Sequence, residues 1–207
     1  MGSGKEKDMI KTVIFDIGNV LTVFRWEDFI HGFGFSAEAE EKVKRATVMS
    51  PYWNELDVGV WSEEQILDAF ISVEPTAEAE IRKVFRNFGG MLDGVEYAIP
   101  WIRELKEKGY QVLVLSNISD KMVRENPEAM NFMEVVDGGI LSYKEQVVKP
   151  GREIYERLLA MYDLKAEECV FLDDTKKNID TAAELGFATV LFAGYEQAKE
   201  ALEGLIR

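Results

Sequence analysis

Cysteine, histidine and positive charge are all scarce in this chain. Its one cysteine, Cys169, excludes an internal disulfide, and the apolar run "ECVFLDD" around it reads as the setting of a buried structural thiol. The one histidine, His31, reads as a helix-surface residue. Lysine and arginine number 24 against 38 aspartates and glutamates, a formal charge of −14. That balance argues against a polyanion-binding surface, and so against nucleic acid. It leaves room for a small anionic substrate, because one cation or metal ion can reverse the local field. No apolar run is long enough to span a bilayer and no signal-peptide pattern is present, so no membrane partner is expected and a cytoplasmic location is. Internal repeats and low-complexity segments are also missing.

Apolar residues, in contrast, are plentiful: 47% of the 207 residues are hydrophobic and 11% aromatic. This suits one domain, or one domain carrying a small insertion. In "TVIFDIGNVL", Val13, Ile14 and Phe15 form a continuous β-branched and aromatic run, the pattern of a strand buried on both faces. Further strands are expected at 110–117, 138–142, 169–174 and 188–193, with helices at 95–108, 151–162 and 175–185 between or after them. Strands alternating with helices predict an α/β fold, a Rossmann-like parallel sheet with helices on both faces. Residues 25–91 break the alternation and show only amphipathic helical stretches, at 36–49, 62–70 and 76–88. They read as a small inserted all-helical cap above the carboxyl edge of the sheet, where open α/β folds bind ligands. The expected organisation is therefore a core of 9–24 and 92–207, a cap of 25–91, and a flexible leader of 1–8.

Three strand ends carry polar groups: Asp16, then Ser116-Asn117, then Asp173-Asp174. Each taken singly also reads as a turn or a helix cap. A parallel sheet, however, gathers them on one edge, where three carboxylates repel one another. A hard divalent cation with oxygen ligands resolves the repulsion, and Mg²⁺ is held by one or two carboxylates plus substrate phosphate. A cation also gives Asp16 a use, since aspartate serves as nucleophile in phosphoryl transfer. The Ser116 hydroxyl, the Asn117 side chain and Lys149 in "VVKP" would supply the rest of a phosphate clamp.

This set of motifs resembles the haloacid dehalogenase-like (HAD) hydrolase superfamily from Thr12 to about Phe192. "FDIGNV", "VLSN", "VVKP" and "FLDDTKKNID" run in family order. The form "FDIGNVL", the short cap and "LDVGVWSEEQI" are similar to the helical-cap, glucose-1-phosphate phosphatase-like subgroup. The resemblance implies a Mg²⁺-dependent phosphatase of small phosphorylated metabolites, sugar phosphates preferred. Asp16 is then nucleophile and metal ligand, and Gly18 (through its carbonyl), Asp174 and Asp173 complete the metal site. Ser116, Asn117 and Lys149 bind phosphate, with Lys149 counted as catalytic beside Asp16. Asn178 braces the acidic loop or Lys149. The cap segment "SPYWNELDVG" reads as helix-bundle core, or else as the place from which Trp53 or Asn54 faces the phosphate site and contacts the leaving group.

One position departs from the family pattern. Most phosphatases of the superfamily have an acid/base Asp where this chain has Gly18, and Asp57, Asn54, Glu55 and His31 are the candidates to replace it. The gap keeps two alternatives open: a metal-free 2-haloacid dehalogenase-type hydrolase, and a non-catalytic phospho-ligand-binding relative. Either a monomer or a homodimer fits the composition.

Overall fold

A computed structural model describes residues 9–206; the expected leader at 1–8 lies outside the described residues. The first half contains strands β1 (Thr12–Phe15) and β2 (Thr22–Phe24), then helices α1 (Trp26–His31), α2 (Ala37–Ala46), α3 (Tyr52–Val58), α4 (Glu63–Val73) and α5 (Glu78–Phe85). Strand β3 (Leu92–Gly94), α6 (Ala98–Glu107), β4 (Gln111–Ser116), α7 (Asp120–Glu125), β5 (Gly138–Leu141) and α8 (Ser142–Glu145) follow. The chain continues with α9 (Arg152–Met161), β6 (Cys169–Asp173), α10 (Lys176–Glu184), β7 (Ala188–Leu191) and α11 (Tyr195–Leu205).

Five strands form one parallel sheet in the order β5-β4-β1-β6-β7. The α/β expectation and its five strands are present. Val13, Phe15, Val114 and Leu172 face a large core that runs on into the helices between β2 and β3, while Ile14, Leu115 and Phe171 face a smaller one. Both faces of β1 are thus sealed, which is why its sequence does not alternate. The chain order places β4 and β5 on one side of β1 and β6 and β7 on the other, so β1 is the switch point at which ligands of such sheets bind.

β2 and β3 pair antiparallel as a separate ribbon, Thr22 opposite Gly94 and Phe24 opposite Leu92. Neither strand is visible as a pattern in the sequence, because three residues are too few for a period of two to register. Helices α1 to α5 all lie between these two strands. The helix expected at 36–49 stops at Ala46, and the one at 76–88 divides into a 3₁₀ turn at Pro75–Ala77 and α5. An aromatic stack of Trp53, Phe70, Phe85 and Phe88 fills their interior. Glu63 of α4 reaches Lys121 and Arg124 of α7, at 3.2 and 2.7 Å.

Gly139 in β5 has a φ of +140°, and a Cβ there would overlap the backbone of Val114 in β4. Gly139→Ala is therefore expected to cost about 3 kcal/mol or more, from strain and overpacking together. A denaturant melt checks this, and a loss within the ordinary range of surface substitutions, about 0.5 kcal/mol, would contradict it.

Candidate active site

The parallel register brings the ends of β1, β4 and β6 together. Asp16 follows β1 directly and its backbone N–H donates to the Leu172 carbonyl of β6 at 2.9 Å, which fixes the carboxylate beside Asp173. Oxygen atoms of Asp16, Asp173 and Asp174 lie within 4.8 Å of one another. Lys149 inserts between two of them, its Nζ 2.8 Å from Asp16 Oδ1 and 2.6 Å from Asp173 Oδ2. All three of these groups are buried: Lys149 is 3% exposed, Asp16 8% and Asp173 not at all.

The two aspartates of "DD" are used differently. Asp173 has both oxygens engaged: Asn178 Nδ2 donates to both at 3.1 and 3.0 Å, the Thr175 N–H to one at 2.7 Å, and Lys149 to the other. Asp174 is exposed and receives Asn19 Nδ2 at 3.1 Å and the Thr175 hydroxyl at 3.2 Å. Asp174 therefore has more freedom to ligate, while Asp173 holds Lys149 in place. Asn19 escaped the sequence analysis. Its φ of 56° turns the chain after Gly18, and its side-chain oxygen accepts the Phe24 N–H, so it ties β2 to the acidic loop. The "GN" pair was a visible turn signal, but nothing in it pointed at Asp174.

Charge in this cluster is out of balance, because one ammonium faces three carboxylates. Burial pushes Asp16 up to about 6, against the Lys149 charge that lowers it and with the Asp173 charge adding to the rise. Burial works to lower Lys149, yet Asp16 and Asp173 outweigh it and keep its pKa above the ordinary lysine value. An all-oxygen donor set with excess negative charge suits a hard divalent cation. Asp16 and Asp174 have carboxylate oxygens placed where they could hold it, with Asp173 beside them.

A pocket of about 120 Å³ adjoins the cluster, lined by Ile17, Gly18, Phe24, Trp53, Asp57, Leu92, Ser116, Asn117, Ile118 and Met122. Asp57, on the last turn of α3, is its one ionisable lining residue. Burial pushes its carboxyl up to about 7, the Asp16 charge adds to the rise, and Lys149 opposes it. The helix that carries Asp57 is pinned in place. Ser142 Oγ at the start of α8 donates to the Asp57 carbonyl at 2.7 Å and accepts the Ile118 N–H at 2.9 Å. Gly59 closes α3 with φ +74°, and a Cβ there would strike Tyr143. Ser142 was also missed, because a serine after a weak strand carries no signal.

Several expected residues are placed elsewhere. Asn54 is exposed on α3 and does not line the pocket. His31 pairs with Glu40 at 3.0 Å on the surface, and Glu55 is likewise outside the pocket. Asn117 lines the pocket, but both ends of its side-chain amide bond the Lys149 backbone, at 2.9 and 2.8 Å. Its side chain positions Lys149 and is not free for phosphate. Trp53 both packs in the aromatic stack and faces the pocket.

The raised acids set the sign of a metal effect. Asp16 and Asp57 both have an ordinary value of 3.8, so each contributes stability that is complete below that pH and lost as pH rises through about 6 and about 7. Mg²⁺ binding to ionised carboxylates offsets the loss. Thermal melts are expected to show a large Mg²⁺ stabilisation at pH 8 and little at pH 5. Equal stabilisation at both would contradict ligation through Asp16.

A family model for haloacid dehalogenase-like hydrolases matches residues 10–186. A sesquiterpene phosphatase of Aspergillus oryzae is 27% identical over 176 residues, 85% of this chain and 86% of that protein. A HAD-like family hydrolase from Porphyromonas gingivalis superposes with a TM-score of 0.75 at 21% identity, covering 96% of this chain and 99% of its own. A HAD family enzyme from Bacteroides thetaiotaomicron, solved in complex with magnesium and inorganic phosphate, gives a TM-score of 0.68 at 22% identity over 92% and 98% of the two chains. These two structures speak for the fold alone. The family match, running from β1 through α10, takes in the strand ends that supply Asp16, Ser116 and the acidic pair and the loop that carries Lys149, and the chain belongs to the haloacid dehalogenase-like hydrolases.

Proposed function

We propose that this hydrolase is a Mg²⁺-dependent phosphatase that cleaves a small phosphorylated metabolite through an aspartyl-phosphate on Asp16. The observation that carries the reading is the convergence of Asp16, Asp173 and Asp174 on one sheet edge with a single buried lysine among them. The phosphatase activity named for the Aspergillus relative and the magnesium and phosphate bound by the Bacteroides enzyme support it. A metal-free dehalogenase fits less well, because it leaves the acidic pair without a use.

In the reaction, an Asp16 oxygen attacks phosphorus as the bond from phosphorus to the ester oxygen breaks. Asp57, held near neutrality in charge by burial, gives its proton to that departing oxygen. The Asp57 carboxylate then takes a proton from the water that attacks phosphorus, which releases phosphate and restores Asp16. Ser116 and Lys149 hold phosphate oxygens, Asn117 and Asp173 position Lys149, and Asn178 positions Asp173. When bound, Mg²⁺ would neutralise phosphate charge so that the anionic Asp16 can approach. Residues 25–91 act as the cap over a core of 9–24 and 92–207, with α3 bringing Asp57 and Trp53 to the pocket and excluding water. Asp57 thereby stands in for the side chain that Gly18 lacks.

Phosphate release from p-nitrophenyl phosphate, with Mg²⁺ and with excess EDTA, tests the reading. Metal-dependent turnover supports it. Equal turnover in EDTA would remove the cation from the mechanism, and no turnover with a panel of esters would favour a ligand-binding relative.

A further inference from the structure

The wall of the pocket beside Asp16 is apolar, and that bears on what the phosphate is attached to. Phe24, Trp53, Leu92, Ile118 and Met122 supply most of the wall, with Ile17 at the floor. Two of the polar groups nearby are already committed. Both ends of the Asn117 amide serve Lys149, and the Ser142 hydroxyl serves Asp57 and Ile118. Among the lining side chains Ser116 and Asp57 keep polar atoms free for a ligand, and the proposed mechanism uses Ser116 on the phosphate and Asp57 on the ester oxygen.

We propose that this pocket takes the leaving group as a short apolar alcohol, so that the substrate is the monophosphate of a small aliphatic alcohol and not of a sugar or other polyol. The inference rests on the phosphatase reading and names its substrate class. The volume bounds the size: about 120 Å³, shared with the phosphate at the Ser116 end, is less than the ~150 Å³ apolar cavity that accepts benzene. The wall sets the chemistry. A sugar in this space would bury several hydroxyls with no partner to receive them, and each unpaired group opposes binding. A methylene in the same place leaves water at no such cost.

The test is a series of methyl, ethyl, propyl, butyl and pentyl monophosphates, beside glycerol phosphate and glucose-1-phosphate, assayed for phosphate release with Mg²⁺. The specificity constant kcat/KM is expected to rise roughly fourfold per methylene up to pentyl. Pentyl phosphate should exceed either polyol phosphate by about 10²-fold or more. A flat alkyl series, or a polyol phosphate equal to the pentyl ester, overturns the inference while leaving the phosphatase reading intact. Calorimetric binding of methyl- and pentylphosphonate separates the two further. If no ester turns over but pentylphosphonate binds at least tenfold tighter than methylphosphonate, the phosphatase reading fails and the pocket assignment holds. If neither turnover nor binding depends on chain length, the pocket assignment fails.

Discussion

Asp16→Asn is expected to lower phosphate release by about 10⁴-fold or more, to the background of the assay, in a protein that still folds. Asparagine has the shape of aspartate, and its amide oxygen can still accept from the Ile17 N–H and from Lys149, as Asp16 Oδ1 does at 2.7 and 2.8 Å. What it cannot do is form the bond to phosphorus. The folded state is not expected to suffer, because Asp16 is a carboxylate whose charge is disfavoured by burial and asparagine carries none. Two measurements belong together here: phosphate release, and a thermal melt at pH 8. A folded variant that keeps a tenth of the wild-type rate would remove Asp16 from the role of nucleophile.

Asp57→Asn is expected to cost 10²- to 10⁴-fold in turnover, the usual range for a lost general acid and base. Its pH behaviour distinguishes it from a merely structural change. In the wild type, the rate should fall on the acid side as Asp16 is protonated and on the alkaline side as Asp57 loses its proton, its pKa being raised to about 7 by burial. The variant should lose the alkaline limb and keep the acid one. Rapid-quench measurements should find phosphoenzyme accumulating, since the water that attacks it has lost its base. Gly18→Asp offers the complement. A side chain at Gly18 meets nothing within 4 Å, and the backbone there is not in the left-handed region, so an aspartate can be accommodated. Added to Asp57→Asn, it is expected to recover at least tenfold of the lost rate. A full rate and an intact alkaline limb in Asp57→Asn would return the acid/base role to some other group.

The sheet was legible because β1, β4 and β6 are buried on both faces, and continuous apolar runs ending in polar residues mark both their extent and the edge they share. The position of Asp16 relative to Asp173 follows from that alone. Less legible was anything decided by a single contact. Nothing in "VLSN" indicates that the Asn117 amide turns back on Lys149, and nothing in "GGILS" indicates that Ser142 reaches the carbonyl of Asp57. The choice among Asp57, Asn54, Glu55 and His31 was of the same kind. Their order along the chain is plain, but which of the three on α3 faces the pocket depends on how that helix is held, by Ser142 and the close approach of Gly59 to Tyr143, and His31 lies on α1.

The two short strands β2 and β3 give the inserted helices a property of their own. Paired strands lie about 4.8 Å apart, so the points where the chain leaves and rejoins the core are neighbours. The excursion is therefore closed at its base, and lengthening it adds only the slow logarithmic cost of a longer loop. In the proposed mechanism the insertion supplies Asp57 and Trp53 from α3, while the strand ends and the ribbon supply most of the rest of the pocket. An exchange of the helices would have to keep α3 with Asp57 and its contact to Ser142, and the ribbon of Thr22–Phe24 and Leu92–Gly94 is the seam at which an engineer would cut.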